Sequence, residues 1–331
     1  MKKRKLGRSG IEVSAMGLGC WAIGGNMFLQ GMPMGWSKVD DKESLKALEK
    51  GLEMGVNFLD TADVYGTGHS ERLVAKAVKG KRDKVVIATK FGMTFKPESG
   101  EVIDMEGDTS PEYIRQAVEG SLSRLQTDYI DLYQLHLNAL PLDNALKTRE
   151  ILEELVKESK IRSYGWSTDI LDRAELFEKG KNCTAIQHVF NIFSGNKNIL
   201  KMCEEKNLAS INRAPLAMGL LTGKFTESTG FPKDDVRSIM HMFNDDVHIF
   251  FDESGPSKVL LDKLDAIREI LKSKGRTLAQ GALAWLWARS ENTIPIPGFK
   301  TVKQMEENAG AMEFGPLTVS QMEEINSILS E

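Results

Sequence analysis

Cysteine is scarce in this chain of 331 residues: Cys20, Cys183 and Cys203 are odd in number and far apart. No Cys-x-x-Cys and no Cys/His ligand spacing occurs, which excludes a disulfide framework and leaves no metal expected. Proline is sparse, at 10 residues, and no Pro/Ser-rich linker or low-complexity block divides the chain. No apolar run approaches the roughly 18 residues of a membrane span. An excess of positive charge is missing too. Lys and Arg total 43 against 47 Asp and Glu, a net charge of -4. That gives no footprint for nucleic acid and no polybasic membrane signal. The basic start MKKRKLGRSG is not followed by an apolar stretch, so no signal peptide is expected. A reducing cytoplasm is the expected compartment.

Two nucleotide-binding motifs are also absent. GLGCWAIG carries Gly17 and Gly19, but Gly24 is misplaced for Gly-x-Gly-x-x-Gly. GLLTGKF resembles a phosphate loop only on the surface, because its glycines are too close and Phe225 stands where Ser or Thr is required.

What is present is an ordinary globular composition, 41% apolar and 27% charged, with strands and helices in alternation. The start reads as a β-hairpin, KRKL and IEVSAMGLG joined by GRSG. Leu45, Leu48 and Leu52 then share a helical face, followed by the strand VNFLD, a helix from about Ser70 and the strand KVVIATK. DTSPEYIRQAVEGSLSRL starts a helix with Ser110 as cap and Pro111 in the first turn. YIDLYQLH, IRSYGWS, TAIQHV, LASINR and NTIPIPG are further strands, with helices about residues 151–159, 257–273 and 277–289 and again at the C-terminal end. About eight strands are each followed by a helix. The fold expected is α/β: a single (β/α)8 TIM barrel over residues 1–331, with an N-terminal β-hairpin, long substrate loops and extra C-terminal helices. The stretch 217–255 is too long for an ordinary connection, and such loops often carry function.

A barrel of this kind builds its active site at the C-terminal ends of its strands. Those ends carry Asp60, Lys90, His136, Ser167, Gln187 and Arg213 in order. Phe58 shares a face with Asp60, Val86 and Ala88 with Lys90, and Leu132 with His136, so each polar residue ends an apolar row and points into the barrel mouth. Tyr65 follows just beyond Asp60. Taken singly, these are a turn cap, a packing tyrosine, a solvated lysine and a satisfied histidine; their co-occurrence is the signal.

GLGCWAIGG, FLDTADVYGTGHSE, VVIATKFG, SLSRLQTDYIDLYQLH, IRSYGWS, APLAMGLLTGKF and IPGFKTVKQMEENAGA run in the order found in aldo-keto reductases and cover almost the whole chain. The chain resembles that superfamily, in particular its bacterial and potassium-channel-β-like branch. The resemblance implies hydride transfer between NADP(H) and an aldehyde or ketone, sugar-derived ones included, or the matching alcohol. It implies Tyr65 as general acid/base, with Asp60, Lys90 and His136 around it. The chemistry is coherent. A phenol of pKa about 10 is a sluggish acid near neutrality. A lysine ammonium would lower that pKa, Asp60 would keep the lysine charged, and His136 would orient the substrate oxygen.

For the cofactor, the resemblance implies Ser167 and Gln187 on the nicotinamide amide, with Asp60 and Trp21 beside the ring. It runs Leu216, Gly219 and Lys224 along the pyrophosphate. Lys300, Gln304, Glu307 and Asn308 hold the adenosine end, with Gly298 admitting the backbone. A cation before a helix N-terminus suits a 2′-phosphate, so Lys300 favours NADP over NAD; the plainer reading is a solvated lysine.

Two positions depart from the family pattern. Arg213 replaces an aromatic residue that would stack on nicotinamide; it covers the ring, meets an anionic or polyhydroxylated substrate, or pairs with an acid at the rim. Thr168 replaces the usual asparagine after Ser167, which leaves its cofactor contact in doubt. Substrate selection falls to loops: Met27, Phe28, Met32, Met34 and Trp36 after the first strand, Met93 and Phe95 after Lys90, and His241, Met242, Phe243, Phe250 and Phe251 in 226–255. These read as an apolar rim, as packing on the barrel, or as a contact within a homo-oligomer. The rival function is a nicotinamide-binding redox sensor or regulatory subunit, against which retention of all four catalytic residues speaks. An aldolase with a Schiff base on Lys90 leaves Tyr65, Ser167 and 298–308 unexplained.

Overall fold

The computed structural model of the chain describes residues 3–243 and 247–330; the 244–246 part of the 226–255 loop lies outside the described residues. Eight parallel strands curl round one axis: β1 (Leu18–Gly19), β2 (Phe58–Asp60), β3 (Val86–Phe91), β4 (Ile130–Leu135), β5 (Ile161–Ser167), β6 (Cys183–Val189), β7 (Ala209–Arg213) and β8 (Thr293–Pro295). Neighbours in sequence are neighbours in space. The sheet closes because Gly17 N–H donates to Pro295 O and Gly19 N–H to Pro297 O, at 2.9 and 3.1 Å, with a parallel bridge between Gly19 and Gly298.

Period-2 alternation fills the interior. Phe58, Val86, Ala88, Leu132, Ala185, Ile211 and Ile294 form one cluster inside the barrel. The N-terminal hairpin, Lys3–Lys5 against Glu12–Ser14, plugs its lower end by adding Leu6 and Val13 to that cluster. Gly7 at the hairpin turn has φ +51°, and a β-carbon there would lie 2.1 Å from Thr184 O, so only glycine permits the approach. Arg8 pins the turn by donating to the carbonyls of Cys183, Glu178 and Gly180.

Outside run α1 (Asp41–Glu53), α2 (His69–Val78), α3 (Pro111–Leu125), α4 (Leu142–Lys157), α5 (Leu171–Glu178), α6 (Lys197–Glu205), α7 (Lys258–Lys272), α8 (Leu278–Arg289), α9 (Val302–Phe314) and α10 (Val319–Ser330). Ser110 caps α3 as expected, accepting from Tyr113 N–H. Asp40 caps α1, and Thr277 with Gln280 forms a capping box on α8. α4 begins at Leu142, ahead of the start expected near residue 151, and α5 is a helix that the sequence pattern does not mark. That helix buries only Ala174 and Phe177, so it shows almost no apolar stripe. Short strands from the loops after β1 and β3 join in a four-stranded sheet beside the barrel mouth. Among the described residues no helix is long and apolar enough to cross a membrane, and the three cysteines are buried and unpaired.

Candidate active site

β2 delivers Asp60 and β3 delivers Lys90 on the inner face of the sheet. Lys90 is 0% exposed, deeper than a residue at the barrel mouth. Its Nζ donates to Asp60 Oδ1 at 2.6 Å, to Thr61 O at 2.8 Å and to Tyr65 Oη at 3.2 Å, which uses all three ammonium protons. The other carboxylate oxygen of Asp60 accepts from Gln187 Nε2 at 2.7 Å and Gln134 Nε2 at 3.1 Å. Gln134 is therefore part of the site. It lies between Leu132 and His136 on the same strand face, a parity signal that could have identified it.

Tyr65 is brought over the lysine by a turn directly after β2. Gly66, at φ +58°, would put a β-carbon 2.1 Å from Gly24 O, so glycine lets the tyrosine turn press against the turn that carries Trp21. The two indoles and the phenol form a wall: Trp21 and Tyr65 stack with centroids 6.1 Å apart, and Trp36 meets Trp21 edge-on at 5.4 Å. His136, just past β4, meets the Tyr65 ring edge-on at 5.7 Å.

Burial pushes the Tyr65 phenol above its ordinary pKa; Lys90 opposes this and Asp60 adds to it. The net lowering expected from the lysine is thus outweighed by desolvation. Burial also works against the Lys90 ammonium, but Asp60 and Tyr65 together hold its pKa above the usual value. Burial, then Lys90 and Arg213, drive the His136 imidazole well below its ordinary pKa, so it is neutral at physiological pH.

A cavity of about 550 Å³ opens over these groups. Asp60, Tyr65 and His136 line it, with Trp21 and Trp36. Ser167, Gln187 and Arg213 follow along one side, and Leu216, Gly219 and Lys224 continue it. Gly298, Lys300, Gln304, Glu307 and Asn308 line the far end. Of the residues singled out from the sequence, Lys90, Thr168 and Phe95 do not line the cavity, nor do Phe28, Met32, His241, Met242, Phe250 and Phe251 of the loops. Lys90 acts from behind Tyr65. Thr168 is fully buried, its hydroxyl donating to Asn138 O, and so turns away from the cavity. Phe95 packs beside the methionine cluster, with the Arg124 guanidinium 5.9 Å from its ring centroid.

Arg213 is ion-paired with Asp169, which also accepts from Val189 N–H. That matches the rim-acid alternative for this arginine. Lys224 and Lys300 form no close ion pair among the described residues; Lys300 Nζ bonds the Trp36 carbonyl, and burial lowers both pKa values against the opposing pull of Asp235, with Glu307 on Lys224 and Asp234 on Lys300. Gln304 side-chain oxygen accepts from Lys300 N–H, and Asn308 donates to Gly298 O, which fixes the start of α9. Arg237, missed from the sequence, lines the cavity too. It is held bidentately by Asp235, with its guanidinium 4.8 Å from the Trp36 ring centroid; nothing in its local sequence marks it.

The loop residues divide. Met27, Met34, Met93 and Phe243 line the cavity, Phe250 and Phe251 are buried in the core, and Met242 is 65% exposed. No cluster of metal-ligating side chains occurs among the described residues.

A parallel barrel whose mouth gathers an acid, a lysine, a tyrosine and a histidine is the architecture of one oxidoreductase class. Residues 15–330 match the aldo/keto reductase family, and the chain belongs to it. It is 32% identical over 334 residues to aldo-keto reductase YhdN of Bacillus subtilis (strain 168), spanning 99% of this chain and 94% of that protein. Among solved structures it is similar to aldo-keto reductase AKR11C1 from Bacillus halodurans in its holo form, at 30% identity and TM-score 0.76, covering 99% and 96% of the two chains. It is also similar to the glycerol dehydrogenase AKR11B4 from Gluconobacter oxydans, at 29% identity and TM-score 0.82, covering 99% and 95%. The family supports an oxidoreductase that works with a nicotinamide cofactor on small carbonyl compounds.

Proposed function

We propose that this protein is an NADP(H)-dependent reductase that interconverts an aldehyde or ketone and its alcohol, with Tyr65 as the proton donor. The observation that carries this reading is the Asp60–Lys90–Tyr65 chain, linked at 2.6 and 3.2 Å under a cavity that also holds His136. The glycerol dehydrogenase among its relatives supports alcohol–carbonyl interconversion as the reaction class.

The residues present fit the cofactor. Ser167 ends β5 with no side-chain hydrogen bond among the described residues, facing the cavity beside Gln187. The two lysines that form no close ion pair, beside the Asp235-paired Arg237, present donors suited to phosphates. Lys300, at the start of α9, gives the preference for NADP over NAD. Bound NADPH supplies the hydride to the carbonyl carbon. As negative charge grows on the carbonyl oxygen, Tyr65 Oη gives it a proton, and Lys90 stabilises the phenolate left behind. Neutral His136 donates a hydrogen bond that orients the same oxygen. Asp60 keeps Lys90 charged, and Gln134 and Gln187 keep Asp60 aimed. Three unpaired thiols support a reducing, cytoplasmic setting.

The test is NADPH consumption against a panel of aldehydes and ketones, beside Tyr65→Phe. The variant is expected to bind NADPH as wild type does and to lose turnover by at least about 10²-fold. A Tyr65→Phe protein with wild-type turnover would remove the assignment. Tight NADPH binding without any turnover by wild type would favour the redox-sensor reading.

A further inference from the structure

Resting on that reading, we infer that Glu71 and Arg124 are positioning residues whose buried ion pair sets where Tyr65 stands against Lys90. Neither lines the cavity, and the proposed chemistry uses neither. Glu71 lies in the first turn of α2, where the helix dipole favours an acid. It is nonetheless 0% exposed. One carboxylate oxygen accepts from Thr89 Oγ1 at 2.7 Å, the other from Arg124 Nε at 2.6 Å. Thr89 precedes Lys90 on β3, so the carboxylate ties the helix that follows Tyr65 to the strand that bears the lysine.

Arg124 completes the hold from α3. Its stem lies against the turn after Tyr65, since a β-carbon on Gly68 would stand 2.6 Å from Arg124 Cδ. On the other side Gly66 presses against Gly24 O. The turn is thus held between the Trp21 turn and the arginine. Its own buried carboxyl, Asp63, forms no close ion pair among the described residues, and Asp63 Oδ1 has no hydrogen-bond partner. A carboxylate taken out of water is tolerated only when paired, so Glu71 and Arg124 have one favourable arrangement, the packed one. Neutralising Glu71 strands the arginine charge and takes the outer wall from the turn. Tyr65 Oη is 3.2 Å from Lys90 Nζ, near the limit of a hydrogen bond. Misplacing a reacting group by about 1 Å can cost roughly 10²-fold in rate.

The experiment uses the full chain with NADPH and an aldehyde that wild type reduces. Glu71→Gln keeps the size of the side chain and an acceptor for Thr89 while ending the ion pair. Expected is a fall in kcat of about 10- to 100-fold with NADPH affinity unchanged. The isotope effect from NADPH deuterated at the transferred hydrogen should rise, because misplacement slows the chemical step. Partial unfolding would lower kcat and leave that isotope effect alone. Arg124→Lys, which keeps the charge, should lose less than Arg124→Met. Asp131→Asn is the control: it breaks the buried 2.8 Å pair with Arg82 at the other end of β4 from His136, and should lower Tm without slowing turnover. Wild-type kcat in Glu71→Gln would overturn the inference, as would equal slowing by Asp131→Asn at the same loss of Tm. A second measurement needs no turnover: fluorine NMR of protein labelled with fluorotyrosine, with the Tyr65 line identified by its loss in Tyr65→Phe. Glu71→Gln should shift or broaden that line and spare those of Tyr129 and Tyr164; an unmoved Tyr65 line overturns the clamp. If wild type reduces no aldehyde while the line moves, the reductase reading fails and the clamp stands.

Discussion

Replacing Lys90 by methionine removes one charge from the centre of the site and keeps the apolar stem. Asp60 is then a buried carboxylate with two amide donors, and the Thr61 carbonyl loses its partner. Breaking a buried pair from one side costs about 3–5 kcal/mol. With about 2.1 cal/mol/K of unfolding entropy per residue, 331 residues convert that to a fall in Tm of roughly 4–7 °C. Adding Asp60→Asn removes the stranded charge, so the double variant should regain at least half of the loss. Turnover should not return, because the developing oxyanion has lost its cation, a loss of about 10²–10³-fold. Thermal unfolding and single-turnover NADPH oxidation, run on wild type, both single variants and the double, separate the two effects. Strictly additive Tm losses would refute the coupling, as would a Lys90→Met protein as stable as wild type.

Gln134→Leu should lower kcat by about tenfold with little change in KM, since it removes a donor from Asp60 and no cavity-lining group; steady-state kinetics decides. Lys300→Ala should reduce the NADPH-over-NADH ratio of kcat/KM by about 10- to 100-fold, mainly through the phosphorylated cofactor. His188 is buried against Ser210 at 2.8 Å, and burial pushes its pKa down to about 4. The folded value is depressed, so the stability it contributes is present above the unfolded pKa of about 6.5 and is lost as pH falls toward about 4. His188→Gln should therefore lose about 2–3 kcal/mol less than wild type between pH ~7 and pH ~4.5, measured by denaturant titration.

Period-2 strand faces made most of the site legible, because a barrel converts parity into inside and outside. Asp60, Lys90 and His136 end apolar rows, and each points inward. Gln134 obeys the same parity and was passed over because a mid-strand glutamine carries no chemistry alone; its role depends on a carboxylate from β2. The Asp169 partner of Arg213 and the Trp36 stacking of Arg237 are contacts between distant loops, which no local pattern encodes. Lys90 illustrates a subtler gap. Parity fixed its direction, but its depth follows from how Tyr65 folds over it. The sign of the Tyr65 pKa shift likewise depends on how thoroughly the tyrosine is desolvated, a property of the packed site.

The bond between the first and last barrel strands has a consequence for how the chain holds together. Gly17 and Gly19 donate to Pro295 and Pro297 across that seam, with a parallel bridge between Gly19 and Gly298, and so join β1 to β8 over a separation of more than 270 residues. Cys20, Trp21, Gly298 and Lys300 border that seam and line the cavity beside it. A dinucleotide lying in the cavity would grip both margins of the seam at once, stapling β1 to the strand farthest from it in sequence. Closing so long a loop carries a large entropic penalty, and any ligand held only by the closed form adds its binding free energy to closure. The amide hydrogens of Gly17 and Gly19 are thus a local gauge of occupancy, expected to exchange with solvent more slowly as cofactor is added while amides at the hairpin plug change little.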